Sequence, residues 1–184
     1  MKKFFLLFLL ALAIGIYQPV AAELVKEEFS GAWKTMKIVD DMDDSVSYVA
    51  CAVPVSADRS KLTRENKDYV NSLPKFYFVS SGTGRAGCFI KIPEAFFDTD
   101  VYAPPVFFQY RLDKDVPKDS DDWEGHQTNI TLQREVQQFA QELYDHKTLV
   151  VRTRDKDGTQ YTIKFNITGA KQALKDIAKA AGWQ

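Results

Sequence analysis

The sequence predicts an α+β domain in which an antiparallel β-sheet or sandwich of about eight strands packs against two helices, at about 132–145 and 169–181. Short runs rich in β-branched and aromatic residues alternate with turn sequences along most of the chain. Two segments near the C-terminus instead space their apolar residues as one face of a helix does. The links between these runs are short, which favours antiparallel neighbours.

The N-terminal half predicts two pairs of strands. Residues 32–39 and 46–53 flank a turn that contains four aspartates, and we expect them to pair. Residues 75–80 and 85–92 flank Ser81-Gly82-Thr83-Gly84, a turn typical of a β-hairpin. The polar segment 23–30 predicts a short lead-in or helical turn.

The C-terminal half predicts four more strands and the two helices. We expect residues 106–112 to pair with 123–130, and 148–154 to form a hairpin with 159–167, in which Tyr161, Ile163, Phe165 and Ile167 face the core. Thr168 and Gly182 are suited to begin and end the last helix.

The first residues have the pattern of a bacterial secretory signal peptide. Lys2 and Lys3 precede an uncharged apolar run of 13 residues, and small residues precede a cut between Ala22 and Glu23. The run is shorter than the roughly 20 residues that span a membrane. We therefore expect residues 1–22 to be removed, residues 23–184 to form a single globular domain, and the protein to be periplasmic or secreted.

The net charge disfavours some classes of binding partner, and the cysteine content bears on whether a disulfide forms. The formal charge falls from −1 to −3 when Lys2 and Lys3 are removed, which argues against nucleic acid and anionic membrane surfaces as partners. Cys51 and Cys88 form an even pair, and in an oxidising compartment a disulfide is the simplest interpretation. Two buried thiols are the alternative.

Several groups of residues are candidate metal-binding or catalytic sites. Asp40, Asp41, Asp43 and Asp44 could bind calcium, but a solvated turn explains them better, since the loop lacks the EF-hand spacing. His126 and His146 could act as bases, but they lack ligand spacing to the cysteines, and no nucleophile motif accompanies them. The sequence thus predicts no catalytic residue, cofactor or metal.

Aromatic residues around Pro104-Pro105 are expected mostly in the core, with a binding groove as the alternative; they are Phe96, Phe97, Tyr102, Phe107, Phe108 and Tyr110.

From residue 106 onward the chain resembles the VasI/TagO family of secreted proteins associated with type VI secretion systems. The matching pieces are Phe108-Gln109-Tyr110-Arg111-Leu112-Asp113, Trp123, Leu149-Val150-Val151-Arg152, Phe165-Asn166-Ile167-Thr168-Gly169, Ala173-Leu174 and the closing Ala181-Gly182-Trp183. The family tends to carry a cysteine where this chain has Ala181. The resemblance implies an accessory role and supplies no catalytic residue.

These observations favour a non-enzymatic binding or accessory protein of the bacterial cell envelope with a protein partner there, and the family resemblance implies an association with type VI secretion. The alternative is a secreted inhibitor of a cell-wall hydrolase, in which the loop from Ser81 to Arg85 would enter the enzyme's cleft. An enzyme that uses His126 or His146 is the third hypothesis. The sequence does not determine the oligomeric state.

Overall fold

A computed structural model describes residues 22–55, 73–81, 84–92, 106–126, 128–155 and 157–183. In this part of the chain, eleven strands form two antiparallel sheets, and three short helices complete the fold, so the α+β class is confirmed. The strands are β1 (Ala22–Ser30), β2 (Trp33–Asp40), β3 (Val46–Ala52), β4 (Lys75–Ser81), β5 (Arg85–Lys91), β6 (Phe108–Leu112), β7 (Lys118–Asp119), β8 (Trp123–His126), β9 (Asn129–Leu132), β10 (Thr148–Arg154) and β11 (Gln160–Asn166). The helices are α1 (Val136–Glu142), α2 (Ala170–Ala173) and α3 (Lys175–Ala180).

The strands divide into a large sheet and a small sheet. The large sheet has the order β1-β2-β3-β4-β5-β9-β8, and the small sheet has the order β11-β10-β6-β7. The chain leaves the large sheet after β5, forms β6 and β7 in the small sheet, and returns to add β8 and β9 beside β5. No helix among the described residues is both long and apolar enough to cross a membrane.

One core lies between the inner face of the large sheet, the small sheet and the helices. Its centre is Phe76, whose ring centroid is 5.7 Å from that of Trp33, 5.7 Å from that of Phe165 and 6.2 Å from that of Phe139. These four aromatic side chains come from the large sheet, the small sheet and α1, and all are buried. Their burial favours folding only when both sheets are in place.

The two sheets are also joined by backbone contacts at the β1–β2 turn. The backbone N–H of Ala32 donates to the carbonyl of Thr168 at 3.0 Å, and Nε1 of Trp33 donates to the carbonyl of Ile167 at 3.2 Å. Gly31 has a φ of 60°, and a Cβ at this position would lie 2.5 Å from the Thr168 oxygen. The turn therefore approaches the segment before α2 more closely than any side chain at position 31 allows.

The structure confirms several predicted elements. The pairing of 32–39 with 46–53 is present, and so are the hairpins at 75–80/85–92 and 148–154/159–167. Gly182 ends α3 as expected, with a φ of 67°, and the N–H of Trp183 donates to the carbonyl of Ala178 at 2.9 Å.

Other elements differ from the expectations. The segment 23–30 belongs to strand β1, whose polar residues are tolerated because it lies at the edge of the large sheet. The strand β6 pairs with β10 and β7, and the segment 123–130 instead turns back on itself as β8 and β9. Tyr161 is 40% exposed because β11 is an edge strand.

Both helices are shorter than predicted. The expected helix at 132–145 loses its first turn because Leu132 completes β9, and α1 begins after Glu135, whose φ is 53°. The expected helix at 169–181 is interrupted at Leu174, which separates α2 from α3. Thr168 makes no side-chain cap, since Gly169 precedes α2 and the Thr168 carbonyl accepts the bond from Ala32.

The predicted disulfide between Cys51 and Cys88 is not formed, and both cysteines are free and buried. Cys51 lies opposite Tyr77 in the β3–β4 pair, whereas Cys88 lies opposite Phe78 in the β4–β5 pair. Because adjacent residues of a strand point to opposite faces, the two thiols lie on opposite faces of the large sheet. They are also two strands apart, about 10 Å, beyond the roughly 7 Å between Cα atoms that a disulfide spans. The alternative of two buried thiols is the one observed.

Gly31→Ala should destabilise the fold far more than Gly158→Ala. Both glycines have positive φ, 60° and 81°, but a Cβ at Gly158 meets nothing within 4 Å. We expect Gly158→Ala to cost about 1 kcal/mol for the left-handed conformation alone, and Gly31→Ala to cost at least about 2 kcal/mol more because the turn must move away from Thr168. Urea unfolding of the two variants measures the difference. Equal losses of unfolding free energy in the two variants would mean that the turn at Gly31 can move away from Thr168 at little cost.

Both cysteines should react as free thiols in a titration without added reductant. We expect the protein purified under oxidising conditions to titrate two thiols per chain once unfolded, and to react slowly when folded, because burial raises the pKa of Cys88 well above its usual value and that of Cys51 to about 11. A thiol reagent that absorbs on reaction measures both. If no thiol were detected in denaturant, the two cysteines would form a disulfide after all.

Candidate functional site

The two histidines weighed as bases are held in separate parts of the fold. His126 ends β8 in the large sheet, and its buried Nδ1 has no hydrogen-bond partner among the described residues. His146 precedes β10, and its Nδ1 lies 3.1 Å from Oδ2 of Asp113. The same carboxylate accepts the backbone N–H of Lys147 and Thr148, so this pair fastens the loop before β10.

The aspartate turn is organised by its own backbone. Oδ1 of Asp40 accepts the N–H of Met42 at 2.8 Å, and Oδ1 of Asp43 accepts the N–H of Ser45 at 2.9 Å. Such bonds are the usual reason that aspartate occurs in turns. Across the described ranges, no three acidic, histidine or cysteine side chains converge as metal ligands would.

The aromatic residues expected in the core differ in their burial. Phe108 and Tyr110 are buried, whereas Phe107 is exposed beneath Arg154, whose guanidinium lies 4.7 Å from the ring centroid. Phe96, Phe97 and Tyr102 lie outside the described residues, as do positions 82 and 83 of the hairpin loop.

The described residues line two modest cavities. A cleft of about 210 Å³ lies between the first two strands and α2–α3 and is lined by charged groups, among them Lys26, Glu28 and Asp176. A groove of about 190 Å³ lies beside α1. There the Tyr110 hydroxyl donates to Oε2 of Glu142 at 2.9 Å, and Nζ of Lys118 lies 3.1 Å from the same oxygen. In the cleft Lys26 already pairs with Glu28, and in the groove Lys118 already pairs with Glu142.

The outer face of the large sheet, which is turned away from the common core, carries a different arrangement. Strand register places Lys34, Cys51, Tyr77 and Phe89 in one row across β2, β3, β4 and β5. Lys75 lies two residues from Tyr77 on the same strand face, directly opposite Lys91. We call the five polar members the outer-face cluster: Lys34, Cys51, Lys75, Tyr77 and Lys91.

Lys75 is the unusual member of the outer-face cluster. Only 6% of the residue is exposed, and within the described part of the chain it has no carboxylate partner. Burial lowers the pKa of its amino group to about 8, an effect that the positive charges of Lys91 and Lys34 reinforce and the proximity of Cys51 opposes. Burial also lowers the pKa of Lys91.

The other members are held in place around that amino group. Nζ of Lys34 lies 2.9 Å from Oε1 of Glu27, so this cation already has a counter-charge. Tyr77 stacks on Phe89 with ring centroids 4.8 Å apart, and its hydroxyl is hydrogen-bonded to the Cys51 thiol. Burial raises the pKa of Tyr77 and that of Cys51, so both the hydroxyl and the thiol are neutral at pH 7, and the thiol donates to the carbonyl of Ala52 at 3.8 Å.

This arrangement is suited to hold an anion. Two ammonium groups without carboxylate partners in the described residues face each other across β4 and β5, and a negative group between them would repay part of the cost of burying their charge. The sequence singled out Cys51, but as half of a disulfide. A lysine that begins a strand carries no signal of burial, so Lys75 could not have been found by pattern alone.

Comparison with models of known protein families, with curated proteins and with solved structures finds no match to this chain. About half of the residues on which the family resemblance depends are core residues, most of them in the small sheet and the segment before α2. They include Phe108, Tyr110, Leu149, Phe165 and Ile167, all of which are buried. The resemblance therefore concerns packing, and none of these residues belongs to the outer-face cluster.

Lys75→Met should remove a pH dependence of stability. The amino group titrates near pH 8 in the folded state and near 10.5 when unfolded, so between these values the unfolded chain binds more protons and the free energy of unfolding rises with pH. We expect the wild type to gain about 1 kcal/mol relative to Lys75→Met between pH 8 and 9. Ionisation of the cysteines in the unfolded chain affects both proteins alike and cancels in this difference.

Urea unfolding at pH 7, 8 and 9 measures this difference. Lys171→Met, at an exposed position of α2, is the matched control and should follow the wild type. Parallel pH profiles for the wild type and Lys75→Met would show that the Lys75 amino group is solvated.

Proposed function

We propose that this protein is a non-enzymatic binding protein of the bacterial cell envelope, and that the outer-face cluster binds an anionic group, a carboxylate or a phosphate, of its partner. The single observation that carries the binding proposal is Lys75, a residue that is only 6% exposed, lies beside a second lysine and lacks a carboxylate partner among the described residues.

The chemistry of the outer-face cluster supports an anion rather than a neutral ligand. A buried charge costs free energy unless it is paired; Lys91 adds a second positive charge beside Lys75, and the nearby Cys51 and Tyr77 are neutral. Val53, Val79 and Phe89 are buried on the same face and lower the local polarity, which strengthens electrostatic attraction there. An ion pair formed in these surroundings is screened by salt less than a surface pair.

The envelope location is supported by the N-terminal pattern of charge, apolar run and small residues, and by the resemblance of the C-terminal half to secreted accessory proteins. A role in type VI secretion is the specific form of this proposal. It predicts that the partner recovered from the periplasm carries its anionic group on an exposed segment able to reach the outer face.

Inorganic phosphate and acetate, titrated separately at constant ionic strength, test the binding site. We expect either anion to raise the melting temperature of the wild type by about 3 °C at tenfold excess over its dissociation constant, which corresponds to about 1.4 kcal/mol. Lys75→Met should abolish the rise, and Lys91→Met should reduce it. Differential scanning fluorimetry measures all three proteins.

The control for this experiment is Lys171→Met, which should retain the full rise. NMR of the lysine ammonium groups provides a second measurement that does not depend on variants, because an anion at the site should shift the Lys75 resonance most. A melting-temperature rise that persists in Lys75→Met would place the anion elsewhere and contradict the proposal.

The hydrolase-inhibitor hypothesis stays a prediction, since two of the five residues of its inserting loop, from Ser81 to Arg85, lie outside the described residues. It is separable by experiment. An inhibitor that acts through this loop should lose lysozyme inhibition on Arg85→Ala while keeping the phosphate response of the outer-face cluster.

A further inference from the structure

The strand β1 presents a long open edge. Among the described residues it pairs with β2 on one side only, through eight of its nine residues. The other edge strands of the described residues are short or partly covered: β7 has two residues, β8 has four, and Val55 donates to the carbonyl of Lys164 on β11. An open edge of this length is a template for another strand.

The side chains of β1 limit what that strand can be. Val25 and Phe29 are 50% and 54% exposed, and Lys26 and Glu28 lie on one face of the strand with their side chains mostly in solvent. The charges and a bulge at Val25 discourage pairing with an arbitrary strand. A partner must therefore match both the apolar and the charged positions.

A second copy of β1 meets this requirement in one register. In an antiparallel ladder, alternate residues direct their backbone groups to the same edge, so two identical strands related by a two-fold axis must pair about a single residue. Centring on Lys26 or on Glu28 places a charge against its own copy. Centring on Glu27 pairs Lys26 with Glu28 twice and brings Phe29 of each copy beside the bulge at Val25 of the other.

The central residue of this register is already neutralised. Oε1 of Glu27 lies 2.9 Å from Nζ of Lys34 on β2 of the same chain, and the two side chains are only partly exposed, Glu27 more than Lys34. The two copies of Glu27 would therefore meet as ion pairs with Lys34 rather than as bare carboxylates.

We propose that the protein forms a two-fold dimer in which two β1 strands pair antiparallel about Glu27 and join the two large sheets into one continuous sheet. The internal pair of Lys26 and Glu28, 2.8 Å apart in the single chain, is exposed and weak, so exchange of partners between copies is inexpensive. The interface adjoins the outer-face cluster through the Glu27–Lys34 ion pair, but it does not require a bound anion.

Charge exchange tests the dimer and its register together. Sedimentation velocity of the processed chain over a concentration series should show a monomer–dimer equilibrium for the wild type. Lys26→Glu or Glu28→Lys alone should weaken the dimer at least tenfold, because each places like charges at both 26–28 pairs. An equimolar mixture of the two variants should restore dimers, as should the double variant that carries both changes.

Lys171→Glu, an equal charge change at an exposed position of α2, is the control and should dimerise as the wild type does. Circular dichroism identifies any variant that fails to fold, and the mixture keeps the test valid if one single variant is weakened for other reasons. A wild type that remains monomeric at every concentration would overturn the proposal and leave the edge to a strand of another protein. Unchanged dimerisation in Lys26→Glu and Glu28→Lys would overturn the register.

Discussion

The fold depends on the contact between the β1–β2 turn and the segment that precedes α2. Gly31 allows the turn to approach the Thr168 carbonyl, Ala32 donates to that carbonyl, and Trp33 donates its indole N–H to Ile167. These bonds connect residues more than 130 positions apart and fix the small sheet against the large one. The aromatic core around Phe76 can form only in that arrangement, because its rings come from both sheets.

The large sheet has two faces with different physical roles. Its inner face is an apolar and aromatic packing surface, where Cys88 is one more buried side chain. Its outer face mixes apolar residues with lysines, a thiol and a phenol, so the burial that stabilises the apolar members imposes an electrostatic cost on Lys75. Proteins are only marginally stable, so a buried lysine that destabilises the fold favours a binding role for this face.

The fold was largely predictable because its signals are local. Turn sequences and alternating residues identified the hairpins, and Gly182 identified the end of the last helix. The strand β1 was missed because an edge strand need not alternate apolar and polar residues, and the pairing of 123–130 was missed because the choice of neighbour depends on contacts distant in sequence. Cys51 was noticed, but its partner was misassigned, since the number of cysteines does not reveal which face of a sheet each occupies.

The sequence by itself determined the β-rich α+β class, most of the hairpins and an N-terminal pattern of export, since each is written in neighbouring residues and in their period. Only the tertiary structure decided which strands are neighbours, which side of the large sheet each thiol faces, and that Lys75 is buried beside Lys91. Those features arise from strand register and sheet order. Register is set by packing over the whole core, and a shift of one residue would exchange the two faces of a strand.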